Sequence, residues 1–137
     1  MKKREQVSKI MTPNPITVNT TNKVSDVAKI FSEKNIHHIP VVSGSELIGM
    51  ISKTDIERVS FVTNLQDQKA NTAIYDSLEI EQVMTNQLDT VQQDDEVREA
   101  AALLAGGTYH AIPVLEGEKL TGIVTSTDVI KYLLEQY

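Results

Sequence analysis

The residues best placed to do chemistry are two carboxylates in matching surroundings. Asp55 ends the segment Gly49-Met50-Ile51-Ser52-Lys53-Thr54-Asp55, and Asp128 ends Gly122-Ile123-Val124-Thr125-Ser126-Thr127-Asp128. Each is an apolar run that closes on a hydroxyl residue, followed by two spacers, an Asp and a new apolar period. An ionised carboxylate can accept from both neighbouring hydroxyls of a sugar diol, and charge-assisted hydrogen bonds are the stronger kind. Ser52 and Thr125, three residues earlier, and Thr54 and Thr127, one residue earlier, add donors for a ribose or a phosphate. A helix that starts here also presents backbone N–H groups and a positive dipole end to a phosphate. The same Ser/Thr-x-x-Asp spacing makes a capping box, which satisfies only the helix's own N–H groups. The two roles are compatible, because a cap residue can also accept from a ligand.

The elements that position these carboxylates occur twice. Asp55 and Asp128 are 73 positions apart, and the same offset carries Met11-Thr12 onto Met84-Thr85, His37 onto His110 and Ile39-Pro40-Val41 onto Ile112-Pro113-Val114. No gap is needed from about Val7 to the C-terminus. A chain that repeats a βαββα-like unit without slippage is expected to be a pseudo-twofold object, and the duplication in register favours a site over a bare cap. The expected organisation is a first repeat over 1–62 with its N-terminal turn, a connector over 63–78 and a second repeat over 79–137.

Within the first repeat, Val7, Ile10 and Met11 have the spacing of one helical turn, which Pro13 and Pro15 end. Ile16-Thr17-Val18 reads as a short strand. Asn19 to Asn22 supply cap-type residues for a helix over about Lys23 to Lys34, whose stripe is Val24, Val27, Ala28 and Phe31. Asn35 is the expected left-handed stop. His38 to Val42 is a strand whose Pro40 suggests a start or an edge. Ser43-Gly44-Ser45 turns it into Glu46 to Ile51. A second helix begins near Thr54. The second repeat reads alike: Ile80 to Met84 is a turn, Leu88 to Val91 a strand, and Val97, Ala100, Ala101 and Leu104 a helical stripe ended by Gly106-Gly107. Asp94, Asp95 and Glu96 are expected in that helix's first turn, where the macrodipole favours them. A hairpin and a closing helix from Ser126 to Leu134 follow.

The totals narrow the function. One domain-sized core fits 137 residues, with 40% hydrophobic and 23% charged side chains. There is no Cys, which excludes thiol nucleophiles and thiolate metal sites. The net charge of −6 argues against general nucleic-acid binding, and Lys2, Lys3, Arg4 and Lys9 are the only basic cluster. No apolar run approaches a membrane span, and no signal-peptide core follows the N-terminus. A cytoplasmic protein without metal is expected.

The paired segments resemble a tandem of cystathionine-β-synthase-type (CBS) domains, the CBS pair or Bateman module. The resemblance rests on Ile39-Pro40-Val41-Val42 with Gly49 to Asp55, and on Ile112-Pro113-Val114-Leu115 with Gly122 to Asp128. It implies an α+β fold of two βαββα repeats packed about a pseudo-twofold axis, with clefts between the copies. It implies an adenosine ligand such as AMP, ADP, ATP or S-adenosylmethionine, no catalysis, and a homodimer that regulates an unidentified separate protein. Asp55 and Asp128 would hold the ribose. The adenine slot would draw on Ile16, Thr17, Val18, Ile39 and Pro40 in one copy. In the other it would draw on Thr90, Val91, Tyr109, Ala111, Ile112 and Pro113. Near the phosphates stand His37, His38 and His110, with Lys53 and Arg58 as further candidates. His37 and His38, being adjacent, are expected on opposite faces of a strand, which opposes a metal site. The copies differ, so the two clefts should differ in affinity. The competing expectation is a ligand-free dimerisation module whose Asp residues only cap helices, with Val129, Ile130, Leu133 and Leu134 as the interface. A glycine-rich phosphate loop, a Ser/His/Asp spacing and a paired-carboxylate cleft are all missing from the sequence, which argues against an enzyme.

Overall fold

Alternation of β-branched runs with 3.6-period stripes gives a mixed α+β chain. The computed structural model describes residues 4–61 and 77–137, so the expected connector lies almost wholly outside the described residues. The elements are β1 (Thr12–Pro13), α1 (Val24–Glu33), β2 (His38–Ser43), β3 (Glu46–Ser52), α2 (Lys53–Phe61), α3 (Ile80–Val83), β4 (Val91–Gln92), α4 (Val97–Ala105), β5 (Ala111–Glu116), β6 (Lys119–Thr125) and α5 (Ser126–Glu135), with a 3-10 turn at Val7–Lys9.

Two units form. One contains Met1–Pro15 with Leu88–Tyr137, and the other contains Ile16–Gln87. The units and the sequence repeats therefore divide the chain differently, because each repeat's leading turn belongs to the unit holding the other repeat's hairpin.

In the unit of Ile16–Gln87, β2 and β3 pair antiparallel, with His38 opposite Ser52 and Val41 opposite Gly49. The register then shifts, which leaves Ile48 as an extra residue in β3, after the turn at Gly44, where φ is +65°. Val18 bridges Val41 in parallel. The core gathers Val18, Val24, Val27, Phe31, Ile39, Val41, Ile51, Ile56 and Ile80. Ile80, from the leading turn of the second repeat, is wholly buried there. Thr85 pairs with Met50 through N–H to O bonds of 2.8 and 2.9 Å.

The other unit is built the same way. β5 and β6 pair antiparallel with Ala111 opposite Thr125, β4 runs parallel to β5 with Val91 opposite Val114, and β1 lies against β6 with Thr12 opposite Ile123. Val7 is wholly buried in a cluster with Val91, Ala100, Leu104, Ile112, Val114 and Val124. Its N–H donates to Asp95 O at 2.8 Å, and Val97 N–H donates to Glu5 O at 2.8 Å.

Several local expectations are corrected. Ile16 to Val18 is not a strand: only Val18 pairs. The strand expected over Leu88 to Val91 is Val91–Gln92. Pro40 is not at the start of β2, but β2 is an edge strand, as the proline suggested. Its carbonyl accepts from Val18 N–H at 3.1 Å, on a side where pairing stops after one bridge, so its missing N–H leaves no gap in a ladder. Asn19 to Asn22 do not cap α1. Their side chains close a turn on themselves, Asn22 Oδ1 accepting from Asn19 N–H at 2.9 Å, and Asp26 reaches back to Lys23 N–H at 2.9 Å. Asn35 is not left-handed, since α1 leaves directly into extended backbone at Lys34 (φ −117°, ψ 144°). Asp94, Asp95 and Glu96 precede α4, and Asp95 instead accepts from Gln92 N–H at 2.8 Å.

Candidate functional site

Strand direction gathers the candidate residues by unit. In the unit of Ile16–Gln87, β2 starts and β3 ends at one edge, since His38 faces Ser52. Val18 runs parallel to β2, so Ile16 and Thr17 approach the same edge as His37. In the other unit β4 and β5 start, and β6 ends, at one edge. Asp89 and Thr90, Tyr109 and His110, and the Thr125–Asp128 corner converge there.

Both corners are built alike. Ser52 N–H donates to Asp55 Oδ2 at 2.8 Å, and Asp55 N–H donates to Ser52 Oγ at 3.1 Å. Thr125 N–H donates to Asp128 Oδ2 at 2.8 Å, and Asp128 N–H donates to Thr125 Oγ1 at 3.2 Å. Each is a reciprocal capping box, so half of each carboxylate serves its own helix. The second oxygens differ. Asp55 Oδ1 lies 3.4 Å from the Arg58 guanidinium, whose side chain is 71% exposed. No partner of Asp128 Oδ1 is found among the described residues. Asp55 and Asp128 are half-buried, while Thr54 and Thr127 beside them are exposed.

The loops ahead of β2 and β5 are tied to these corners. His37 O accepts from Lys53 N–H at 2.8 Å, and His110 O accepts from Ser126 N–H at 3.2 Å. The expectation of open helix N–H groups is thereby corrected: two of the first three in each helix are already satisfied within the protein.

Burial sorts the adenine candidates. Ile39, Pro40, Ile112 and Pro113 are wholly enclosed, and Val18, Val91 and Ala111 are buried. A wholly enclosed residue has no surface to offer, so the first four back a slot and do not line it. Ile16, Thr17 and Thr90 are exposed, and Tyr109 is half-buried against the core. His37, His110 and Lys53 are exposed, and His38 is half-buried. His37 and His38 do not share a strand, since β2 begins at His38. Arg58 stands beside Asp55 in a surface ion pair of little strength. Among the described residues no group of three or more His, Cys, Asp or Glu could hold a metal ion.

The run Leu88-Asp89-Thr90-Val91, read from sequence as able to supply part of the adenine slot, also carries the carboxylate of Asp89. That carboxylate stands near the Tyr109 hydroxyl, and hydrogen-bonding attraction to it, then burial and the Asp89 charge, pushes that hydroxyl above its ordinary pKa. The sequence signal was the pair of departures from the first repeat at Asp89 and Tyr109. A recess of about 420 Å³ lined by Glu5, Lys9, Ile10, Tyr132, Glu135 and Gln136 contains none of the candidate residues.

Comparison with known proteins agrees with this construction. The CBS domain model matches residues 7–61 and 80–135. The chain belongs to the CBS domain family, as a tandem pair. An uncharacterized protein of Methanocaldococcus jannaschii is 28% identical over 97% of this chain and 33% of its own length. The CBS domain pair of protein MJ0100, solved with 5′-methylthioadenosine and S-adenosylmethionine, matches with a TM-score of 0.79 and 26% identity over 97% of this chain and 98% of that one. CBSX2 in complex with AMP matches with a TM-score of 0.78 and 26% identity over 96% and 97%. The chain spans 22–47% of the length of the first curated relatives it matches. No helix among the described residues is long and apolar enough to cross a membrane.

Proposed function

We propose that this CBS pair is a regulatory module that binds an adenosine compound, AMP, ADP or ATP in the first instance, with S-adenosylmethionine as the alternative. Asp55 and Asp128 take the ribose diol, each in its own unit. The observation that carries this reading is the duplicated corner. A carboxylate fixed by its own backbone on one oxygen keeps a rigid second oxygen, with an exposed hydroxyl one residue away. Preorganisation of that kind removes the cost of ordering an acceptor on binding. The named ligands of the two structural relatives, AMP and the pair S-adenosylmethionine and methylthioadenosine, share the adenosine part. The His37 and His110 loops, tied to the corners by backbone bonds, flank the phosphates. The regulated protein is a separate partner or a further part of a longer chain. The ligand acts on it only through unequal affinity for two arrangements of the module.

Titration calorimetry with AMP, ADP, ATP and S-adenosylmethionine tests the reading. Asp55→Ala and Asp128→Ala are each expected to abolish or weaken one site by about tenfold or more, the effect of losing a hydrogen bond to a charged group. Absence of heat with all four compounds refutes the function. Unchanged affinity in both variants refutes the assignment.

The second reading, a ligand-independent homodimer, is favoured by α5. It leaves Ile130, Leu133 and Leu134 at 56%, 39% and 69% exposure. Sedimentation showing a stable dimer that is indifferent to all four compounds would select it.

A further inference from the structure

The recess at the C-terminal end of α5 lies wholly within the unit of Met1–Pro15 and Leu88–Tyr137. Its volume of about 420 Å³ falls in the range of small-molecule pockets, about 300–1,000 Å³. Two segments far apart in the chain build it. The N-terminal turn brings Glu5, Lys9 and Ile10, and the end of α5 brings Tyr132, Glu135 and Gln136. Backbone bonds fix both walls. Glu5 O accepts from Val97 N–H at 2.8 Å, and Ile10 N–H donates to the O of the wholly buried Val7 at 3.0 Å. Gln136 N–H donates to Leu133 O at 3.1 Å, and its side-chain amide donates to Tyr132 O at 3.4 Å. Tyr132 is only 8% exposed, and Ile10 packs against the core, so the floor of the recess is apolar. The charges around that floor are of both signs, and none is neutralised within the protein. Among the described residues the ion pairs join Arg58 to Asp55 and Arg98 to Glu96. The side chains of Glu5, Lys9 and Glu135 make no ion pair or hydrogen bond among the described residues. Two carboxylates and one ammonium leave the rim with a single net negative charge at neutral pH.

We propose that this recess binds a free basic α-amino acid of the lysine or ornithine class. Lys9 takes the carboxylate of the ligand, Glu5 and Glu135 take its two ammonium groups, and its alkyl chain lies over Ile10 and Tyr132. Such an occupant carries one net positive charge at neutral pH, so it matches the rim and leaves none of the three protein charges without a partner. Other small charged molecules fit less well. A diamine answers both carboxylates but sets a further cation against Lys9. An acidic amino acid adds negative charge to a rim that is already negative. A neutral aliphatic amino acid leaves one carboxylate without a partner. Hydrogen bonds between ionised groups are the stronger kind, and against an apolar floor they are less weakened by water than on an open surface. The site is separate from the ribose corners. Asp128 stands in the first turn of α5 and Glu135 ends that helix about two turns later. This site stands whether or not the corners bind a nucleotide.

Titration calorimetry of the full chain with L-lysine, L-ornithine, L-leucine, L-glutamate and putrescine tests the assignment. L-lysine or L-ornithine is expected to bind about tenfold or more tightly than the other three, as for a lost hydrogen bond to a charged group. Lys9→Ala should weaken L-lysine by about tenfold and leave putrescine no weaker, because a diamine has nothing for that ammonium to hold. Lys9→Arg, which keeps the charge, should retain L-lysine binding. Glu135→Gln and Glu5→Gln should each weaken L-lysine and putrescine alike. Lys9 and Glu135 are exposed, so these changes are expected to leave the fold intact, and thermal unfolding checks that they do. Absence of heat with both L-lysine and L-ornithine overturns the proposal. So does putrescine binding as tightly as L-lysine with Lys9→Ala without effect, which would mark a plain cation patch. L-leucine binding as tightly as L-lysine overturns the charge match. None of these outcomes touches the adenosine reading, which the nucleotide titrations decide separately.

Discussion

At the scale of residues, small differences between equivalent positions matter most. Asp89 stands near the Tyr109 hydroxyl, so ionising that hydroxyl would set a second negative charge near the carboxylate, and its pKa is raised. A raised folded-state pKa means that the pair's contribution is fully present below about pH 10, the ordinary tyrosine value, and is lost as pH rises through the raised one. Absorbance titration, with Tyr109→Phe as the reference that removes this residue's signal, should place Tyr109 above the ordinary value. Asp89→Asn should bring it back toward about 10; a Tyr109 that titrates at the ordinary value in the unsubstituted protein would show that the two groups do not interact. Gly122 and Gly49 are a second residue-level device. A Cβ at Gly122 would stand 2.4 Å from Met11 Sδ and 3.0 Å from Thr12 O, and one at Gly49 would stand 2.4 Å from Met84 Sδ and 3.2 Å from Thr85 O. Each thioether rests on bare backbone. Gly122→Ala should cost about 1–3 kcal/mol through overpacking, read as a shift in denaturant midpoint. Met11→Ala should recover only part of it, because the Thr12 carbonyl stays in place.

At the scale of elements, the hairpin and the helix after it act as one piece. β3 delivers Ser52 to the start of α2, β6 delivers Thr125 to the start of α5, and the reciprocal cap joins strand to helix in each case. Ser52→Ala should remove an N-cap acceptor and cost about 0.5–2 kcal/mol. Because the cap also orients Asp55, the same change should weaken nucleotide binding at that corner more than at the Asp128 corner. Equal loss at both, measured by calorimetry, would show a general effect on folding. Gln92 was not expected to matter, yet it joins two further elements. Its side chain donates to Gly117 O at 3.0 Å and accepts from Gly117 N–H at 2.9 Å, which fastens β4 to the β5–β6 turn. Nothing in local sequence distinguishes Gln92 from Gln93 beside it.

At the scale of the whole molecule, the leading turn of each repeat is a structural part of the unit that holds the other repeat's hairpin. Ile80 is wholly buried with Ile39 and Ile51, and Val7 is wholly buried with Ile112 and Val124. Ile80→Ala should cost about 2–5 kcal/mol and Val7→Ala about 1–3 kcal/mol, from lost transfer energy plus a cavity. The informative measurement is where the loss falls. Native-state hydrogen exchange should show Ile80→Ala lowering protection first in β2 and β3, although residue 80 belongs to the second repeat. Val7→Ala should do so first in β5 and β6. Protection lost first within the variant's own sequence repeat would contradict this exchange of segments.

Sequence alone determined the doubling, the hairpins with their glycine turns, the helical stripes and the two acidic corners. These depend on periodicity and on short-range spacing, which a single copy displays and a second copy corroborates. It also determined that Val7 and Ile80 each open a short helical turn with apolar spacing. Only the tertiary structure decided which core each one enters, since a stripe states that a face is covered without naming the cover. The same reason separates Ile39 and Pro40 from Ile16 and Thr17 within one expected slot: all four read as candidates, and only the three-dimensional packing encloses the first pair and leaves the second exposed. Asp89 and Tyr109 are 20 residues apart in the chain, and it is the parallel pairing of β4 with β5 that brings a carboxylate and a phenol together at one edge.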